Sequence, residues 1–199
     1  MAKPIEHKVL IDVPMPIRTP RLILRPPQAG DGKAVYEAKQ ESMVELKKWM
    51  PWAHKPASQE ADEALCREKY AAYLLREDLM LFAFAGDKLI ASTGLHRFDW
   101  ELRSFEIGYW VRSSETGKGY ATEIATALAH YAFKALQANR VFITHDAANK
   151  ASEAVIKKVG FHYEGLASNS GLGVDGQPVE VKHYAFTKAK DVPALEVHW

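Results

Sequence analysis

The chain has 199 residues, 47% of them hydrophobic, a length and composition that suit one domain with a buried core and exclude a disordered polymer. Its 26 basic and 25 acidic side chains leave a formal charge of +1, so no strong field recruits nucleic acid or an anionic membrane. The single cysteine, Cys66, excludes an internal disulfide, the N-terminus "MAKPIEHKVLIDVPMP" lacks the apolar run of a signal peptide, and no stretch is long and apolar enough to span a bilayer, so a cytoplasmic location is expected.

In chain order, Pro14, Pro16 and Pro20 predict an extended lead-in over 1–17, after which "RLILRP" alternates as a short strand closed by Pro26 and Pro27. A helix is predicted over 29–42. "MVELKKWMPWAHKP" then reads as a short helix broken by Pro51, with Trp49, Met50 and Trp52 as an aromatic cluster that is either packing or a pocket wall. Ser58 is a cap for a helix reaching about residue 77, and Glu60, Asp62 and Glu63 place acids at the positive end of its dipole. "LMLFAFAGDKLIASTGLHRF" predicts two strands joined at Gly86 and Asp87, and "SFEIGYWV" a third. Strand periodicity puts Phe105, Ile107, Tyr109 and Val111 on one face and Glu106, Gly108 and Trp110 on the other.

An alanine-rich helix follows over 119–136, with Ile124, Leu128 and Tyr131 on one stripe. "RVFITHD" is a β-branched strand, and "NKASEAVIKKVG" is a helix capped by Asn149 and closed by Gly160. "FHYEGLASNS" and "PVEVKHYAFTK" finish as strands around a turn at Asp175 and Gly176. Strands and helices in mixed order, with no repeat or linker, predict one α+β domain of mixed α/β character over 18–190, followed by a tail over 191–199.

The stretch "SSETGKGYATE" brackets Lys118 with Gly117 and Gly119 between a strand and a helix. Without Cβ atoms the loop can curl its amides toward one point, and the unsatisfied donors of the next helix add to them, which suits a phosphate or pyrophosphate. The nucleotide loop G-x-x-x-x-G-K-[ST] does not fit, because Lys118 sits between the glycines and Tyr120 follows, so the magnesium-binding hydroxyl is missing, and the dinucleotide fingerprint lacks its third glycine. Taken alone, the turn is a flexible loop as readily as a phosphate site.

The wider pattern resembles the GNAT superfamily of acyl-coenzyme A N-acyltransferases, and within it the RimJ/RimL-like branch, from "TPRLILRP" to "HYAFTK". "WMPW", "EIGYWV", "GKGYATE" and "NKASEAVIKKVGFHYEG" stand in the order and spacing of that branch. The family loop [QR]-x-x-G-x-[GA] appears over 114–119 with Ser114 at the first position, a departure that leaves the backbone donors in place. The resemblance implies a mixed, largely antiparallel central sheet with helices on both faces, and acetyl-CoA held in a wedge where the strands "SFEIGYWV" and "RVFITHD" part. It implies cofactor contacts from Tyr109, Trp110, Val111 and Arg112, from Thr116, Gly117, Lys118, Gly119, Tyr120 and Ala121, and from Asn149, whose local reading is a plain helix cap. Lys118 either neutralises a phosphate oxygen or faces solvent.

Acyl transfer to an amine needs a deprotonated amine, a stabilised oxyanion and a leaving thiolate that is protonated or shielded. By resemblance Glu106 handles the amine, as base or as positioning charge; an Arg-paired or solvent-facing strand glutamate is the alternative. Many family members place a tyrosine near the sulfur, but Ile156 stands at that position here, and the branch instead places a serine, Ser152, toward the thiol. The alternative for Ser152 is an ordinary first-turn serine bonded to backbone. Cys66 lies among helix formers, with no histidine partner evident, and is not expected to act as nucleophile. The scattered histidines, His54, His96, His130, His145, His162 and His183 among them, form no metal motif, so no metal is expected; His145 and Asp146, at a strand end, either touch the cofactor or are merely polar. Trp49, Met50 and Trp52 are the candidate acceptor pocket. The resemblance implies an N-terminal α-amine, a ribosomal protein's among them, as acceptor, and admits a homodimer; a small-molecule amine such as a polyamine, or a non-catalytic acyl-CoA sensor, are the competing readings.

Overall fold

The computed structural model describes residues 7–199; the first six positions of the lead-in expected over 1–17 lie outside the described residues. The strands are β1 (Ile17–Arg18), β2 (Ile23–Arg25), β3 (Leu79–Ala85), β4 (Lys88–Asp99), β5 (Ser104–Val111), β6 (Arg140–Asp146), β7 (His162–Leu172) and β8 (Pro178–Phe186). The helices are α1 (Gly32–Leu46), α2 (Gln59–Leu74), α3 (Tyr120–Lys134) and α4 (Lys150–Val159). One eight-stranded sheet runs β1-β2-β3-β4-β5-β6-β8-β7. Every neighbouring pair is antiparallel except β5 and β6, which run parallel.

Helices cover both faces, as the fold class requires. On one, Ile124 and Leu128 of α3 and Ile156 and Val159 of α4 pack with Phe105, Ile107, Val141 and Ile143. On the other, Val35 and Ala38 of α1 and Cys66 of α2 pack with Phe82 and Leu89, and Trp110 leans on that cluster. The expected alternation in β5 therefore holds: Tyr109 sides with α3 and α4, and Trp110 with α1 and α2.

Three boundaries differ from expectation. The helix predicted over 29–42 runs instead from Gly32 to Leu46 and absorbs Met43–Leu46, so only the 3₁₀ turn Pro51–His54 remains of the separate short helix. Helix α2 starts as predicted, the Ser58 Oγ accepting from the Ala61 amide at 3.1 Å, but stops at Leu74 because Arg76 adopts a left-handed φ of 57°. Residues Ile17–Arg18 pair with β2, and the end of the chain returns to them: Arg18 and His198 exchange backbone bonds, while Trp199 sits edge-on to Tyr131 of α3.

Candidate active site

The β5–β6 pairing ends early. Ser104, Phe105 and Glu106 face Arg140, Val141 and Phe142, and beyond them β5 stays with β4 as far as Val111 while β6 stays with β8 as far as Asp146. The β6-facing backbone of β5 past Glu106 thus has no strand partner, and the sheet opens into a wedge.

At the end of β5 the chain enters the loop to α3. Each amide of its first part is engaged: Arg112 donates to the Ile90 carbonyl, Ser113 to the Ser42 hydroxyl at 3.0 Å, Ser114 to the Glu41 carboxylate at 2.8 Å, and Glu115 and Thr116 to the carbonyls of Arg112 and Ser113. From Gly117 to Thr122 no amide has an acceptor among the described residues; the first bond of the helix is made by Glu123 to the Gly119 carbonyl. Gly117 and Gly119, at φ of 77° and 83°, take the left-handed turns that expose these donors. Six successive amides without acceptors among the described residues, at a helix start, suit an anion with several oxygens.

The loop's own charges are balanced internally. Glu115 is buried beneath it and accepts from Lys88 at 2.6 Å and from Lys118 at 2.9 Å, and these lysines hold its carboxyl below the usual range. Lys118 is accordingly tied to Glu115 in the free protein. Tyr120 lies under the Arg21 guanidinium, 4.4 Å from its ring centre, and Arg21 also grips the Lys118 carbonyl at 2.9 Å. Glu41 is held down to about 2 by hydrogen bonds from Ser114, with the Arg112 guanidinium beside it.

On the α3/α4 side of the wedge, the Asn149 side chain accepts from the Ser152 amide at 3.1 Å, so it does cap α4. The Ser152 hydroxyl makes no backbone bond among the described residues. It lies 3.3 Å from the Tyr109 hydroxyl. Burial pushes the Tyr109 phenol above its ordinary value, which keeps it protonated and available as a donor. The sequence places Tyr109 in the wedge for its backbone alone; the hydroxyl contact crosses 43 residues and leaves no local signal.

On the opposite face Glu106 is 3% exposed. Its carboxylate accepts from both Nε and Nη2 of Arg97 and from the Thr144 hydroxyl of β6. The Arg-paired alternative is therefore the state of the free protein. Arg97 escapes sequence reasoning because it sits in an irregularity of the β4–β5 register, between the pairs His96 with Glu106 and Asp99 with Ser104, where strand counting fails. Its side chain is 74% exposed, so the pair has one buried and one solvent-facing partner.

Trp49, Met50 and Trp52 do not form the expected aromatic cluster. Among the described residues Trp52 makes its ring contact with Trp110, at 6.4 Å, and lies under the Lys39 ammonium, whereas Trp49 makes none. Through Trp110 the Trp52 ring meets β5 on the α1/α2 side of the sheet. Cys66 is buried, and burial pushes its thiol up to about 12, which leaves no thiolate at neutral pH. No group of three or more potential metal ligands occurs among the described residues.

Residues 21–162 match the model of the acetyltransferase (GNAT) domain family. YdaF of Bacillus subtilis, named provisionally as a ribosomal N-acetyltransferase, is 32% identical over 79% of this chain and 86% of its own. YnaD of the same organism, an N-acetyltransferase by name, is 31% identical over 76% of this chain and 85% of its own. Among solved structures, Mycobacterium smegmatis RimJ in complex with a CoA disulfide superposes with a TM-score of 0.76 at 27% identity, over 95% of this chain and 93% of that one.

Proposed function

The chain belongs to the GNAT acetyltransferase family, and on that premise we propose that it acetylates the N-terminal α-amine of a protein, in the manner of the RimJ/RimL-like branch, with a ribosomal protein as the first acceptor to test. Transfer of an acetyl group from acetyl-CoA to an amine follows from the family. The choice of a ribosomal protein as acceptor is supported by the name of YdaF, a provisional ribosomal N-acetyltransferase matched over most of the chain.

The observation that carries the reading is the run of free amides from 117 to 122 directly beside the wedge between β5 and β6. The amides hold the diphosphate, and the unpaired edge of β5 from residue 108 offers strand-like bonds to the pantetheine amides. Bound there, acetyl-CoA supplies a thioester, an acyl group already activated toward an amine. Ser152 presents its hydroxyl from the start of α4 and stabilises negative charge on a leaving sulfur, and Tyr109 donates to the Ser152 oxygen, which strengthens Ser152 as a donor in turn. Glu106 lies on the other face of the sheet. Both of its oxygens already accept hydrogen bonds from Arg97 and Thr144, so we assign it to drawing the cationic amine in, in exchange for the exposed Arg97.

The test is acetyl-CoA turnover against peptides with free N-termini and against polyamines, followed by release of coenzyme A thiol and by mass spectrometry of the acceptor. Acetylation at the α-amine of peptides is expected. Turnover with polyamines and none with any peptide would replace this acceptor.

A further inference from the structure

An ammonium must lose a proton before its nitrogen can attack, and Glu106, whose oxygens already accept from Arg97 and Thr144, leaves that proton without a taker. His96 stands beside it. The two residues pair across β4 and β5, so their side chains project from the same face of the sheet, the α1/α2 side that carries Trp110 and Trp52.

The imidazole is fixed from two directions. Its Nδ1 lies 2.6 Å from Oδ1 of Asp78, the residue before β3, and Lys69 of α2 donates to the other Asp78 oxygen at 2.7 Å. Burial pushes the Asp78 carboxyl up, but the hydrogen bonds from His96 and Lys69 outweigh it and hold the carboxyl below its ordinary value, so it is ionised and only accepts. Nδ1 therefore carries the proton. On the β5 side the ring lies over Gly108, where a Cβ would meet nothing within 4 Å except this imidazole, Cδ2 at 2.9 Å and Nε2 at 3.4 Å. The missing side chain is what lets the ring lie down on the sheet.

Nε2 is thereby set over β5 two residues beyond Glu106, where the pairing with β6 has ended. In the neutral ring it is a lone pair with no hydrogen-bond partner among the described residues. It is also within reach of solvent: the side chain is 26% exposed, and Nε2 is not among the unpartnered polar atoms that solvent cannot touch. The charged groups around the ring are Asp78 with Lys69 behind it, Glu106 opposite on β5, and Arg97 next along β4.

We propose that His96 is the general base of the transfer, its Nε2 taking a proton from the acceptor ammonium directly or through one water. Asp78 is its positioning residue, which fixes the tautomer and stabilises the imidazolium. An imidazole suits the task because it is the side chain that changes charge nearest neutral pH. The nitrogen then bonds the thioester carbonyl carbon as the carbon–sulfur bond breaks, its second proton ends on the departing sulfur to give amide and thiol, and the imidazolium returns its proton to solvent. The inference rests on the proposed entry of the amine along the Glu106 face.

The test follows kcat/KM from acid to alkaline pH, with whichever amine the parent acetylates, in the parent, His96→Gln, His96→Ala and Asp78→Asn, beside melting temperature and calorimetry with coenzyme A. At neutral pH His96→Gln is expected to lose ~100-fold, the lower part of what a general base contributes, and the loss is expected to shrink at alkaline pH, where the acceptor arrives already deprotonated. A structural defect would instead cost the same factor at every pH. Imidazole added to His96→Ala, which leaves the space over Gly108 open, is expected to restore turnover, and Asp78→Asn to move the acid limb of the profile toward lower pH, since the imidazolium loses its partner charge. Coenzyme A affinity is expected to stay at the parent value throughout. A folded His96→Gln with the parent's profile, a loss constant across pH, or an absence of imidazole rescue would overturn the assignment; should the His96 variants not fold, an acid limb unmoved in Asp78→Asn would do so as well. A parent that acetylates no amine would instead overturn the proposed function.

Discussion

The loop between β5 and α3 has two halves of opposite character. From Arg112 to Thr116 every amide is engaged, two of them by side chains of α1, Ser42 and Glu41, which lie more than seventy residues away in sequence. From Gly117 into the first turn of α3 at Thr122, none is engaged among the described residues. The contrast teaches how a flexible-looking glycine turn can be preorganised: the pinned half fixes where the chain enters, the left-handed glycines set its course, and the other half then presents donors that, in the proposed site, need no rearrangement to meet an anion. Buried Glu115 belongs to the same design. Its charge is offset by Lys88 and Lys118, so a carboxylate beneath the site does not repel what the amides attract.

The contrast is broken most severely at the free half. In Gly119→Val the new Cβ would meet only the tip of Arg21, at 3.5 Å, so the effect comes from the φ of 83° that a β-branched residue resists. Coenzyme A affinity should fall on the order of 100-fold by calorimetry while the protein stays folded, the upper part of what strain of ~1–3 kcal/mol at one residue gives, since several donors are reoriented together. An unchanged dissociation constant in a folded variant would remove the loop from the binding site.

Next in size is Ser152→Ala, which lies outside both halves and separates chemistry from binding. Single-turnover kinetics with a peptide acceptor should show the chemical step slowed ~10–100-fold, with coenzyme A affinity near the parent's, because the hydroxyl matters as charge develops on sulfur. The Ser152 hydroxyl is paired with the Tyr109 hydroxyl and not with backbone, which predicts a smaller change in melting temperature than for a serine bonded to backbone. A parent-like rate would leave the sulfur without a side-chain donor.

Glu41→Gln loosens the pinned half and should weaken coenzyme A about 3–10-fold, less than Gly119→Val, because Ser113 remains held by Ser42 and one uncharged acceptor remains for Ser114. If affinity is unaffected, the pinning does not preorganise the donors.

The smallest effect is a pH dependence. The folded-state pKa of Glu41 lies near 2, below its ordinary value of 4.5, so the folded chain favours the ionised form. That contribution is complete above about 4.5 and is lost as pH falls toward about 2. Melting temperatures of the parent and Glu41→Gln should therefore converge as pH is lowered through that window. A gap that stays constant would mean the carboxylate gains nothing from its partners.

The strands and helices that build the site were legible because each carries a local signal: alternation in "SFEIGYWV", β-branching in "RVFITHD", the Asn149 cap and the Gly160 stop. The glycine pair was legible for the same reason, since a left-handed turn needs glycine wherever it falls. The side-chain partners were not. Glu41 with Ser114, Tyr109 with Ser152, and Thr144 with Glu106 join positions far apart in the chain, and only the packed sheet brings them within reach. Arg97 is nearer to Glu106 in sequence, yet the register irregularity between them hides the pairing from any count of alternate residues. The helix boundaries that missed, at Leu46 and Leu74, are places where neither glycine nor proline marks the end.

The central claim is that the free amides of 117–122 are the anion site and the engaged amides before them its fixed support. A titration of ¹⁵N-labelled protein with coenzyme A, followed amide by amide, tests it most directly. The account predicts the largest shifts at Gly117 to Thr122, as donors without partners acquire them, and small shifts at Ser113 to Thr116, whose bonds persist. Saturable binding of coenzyme A that leaves 117–122 unmoved, or that moves the engaged half more than the free half, would contradict it.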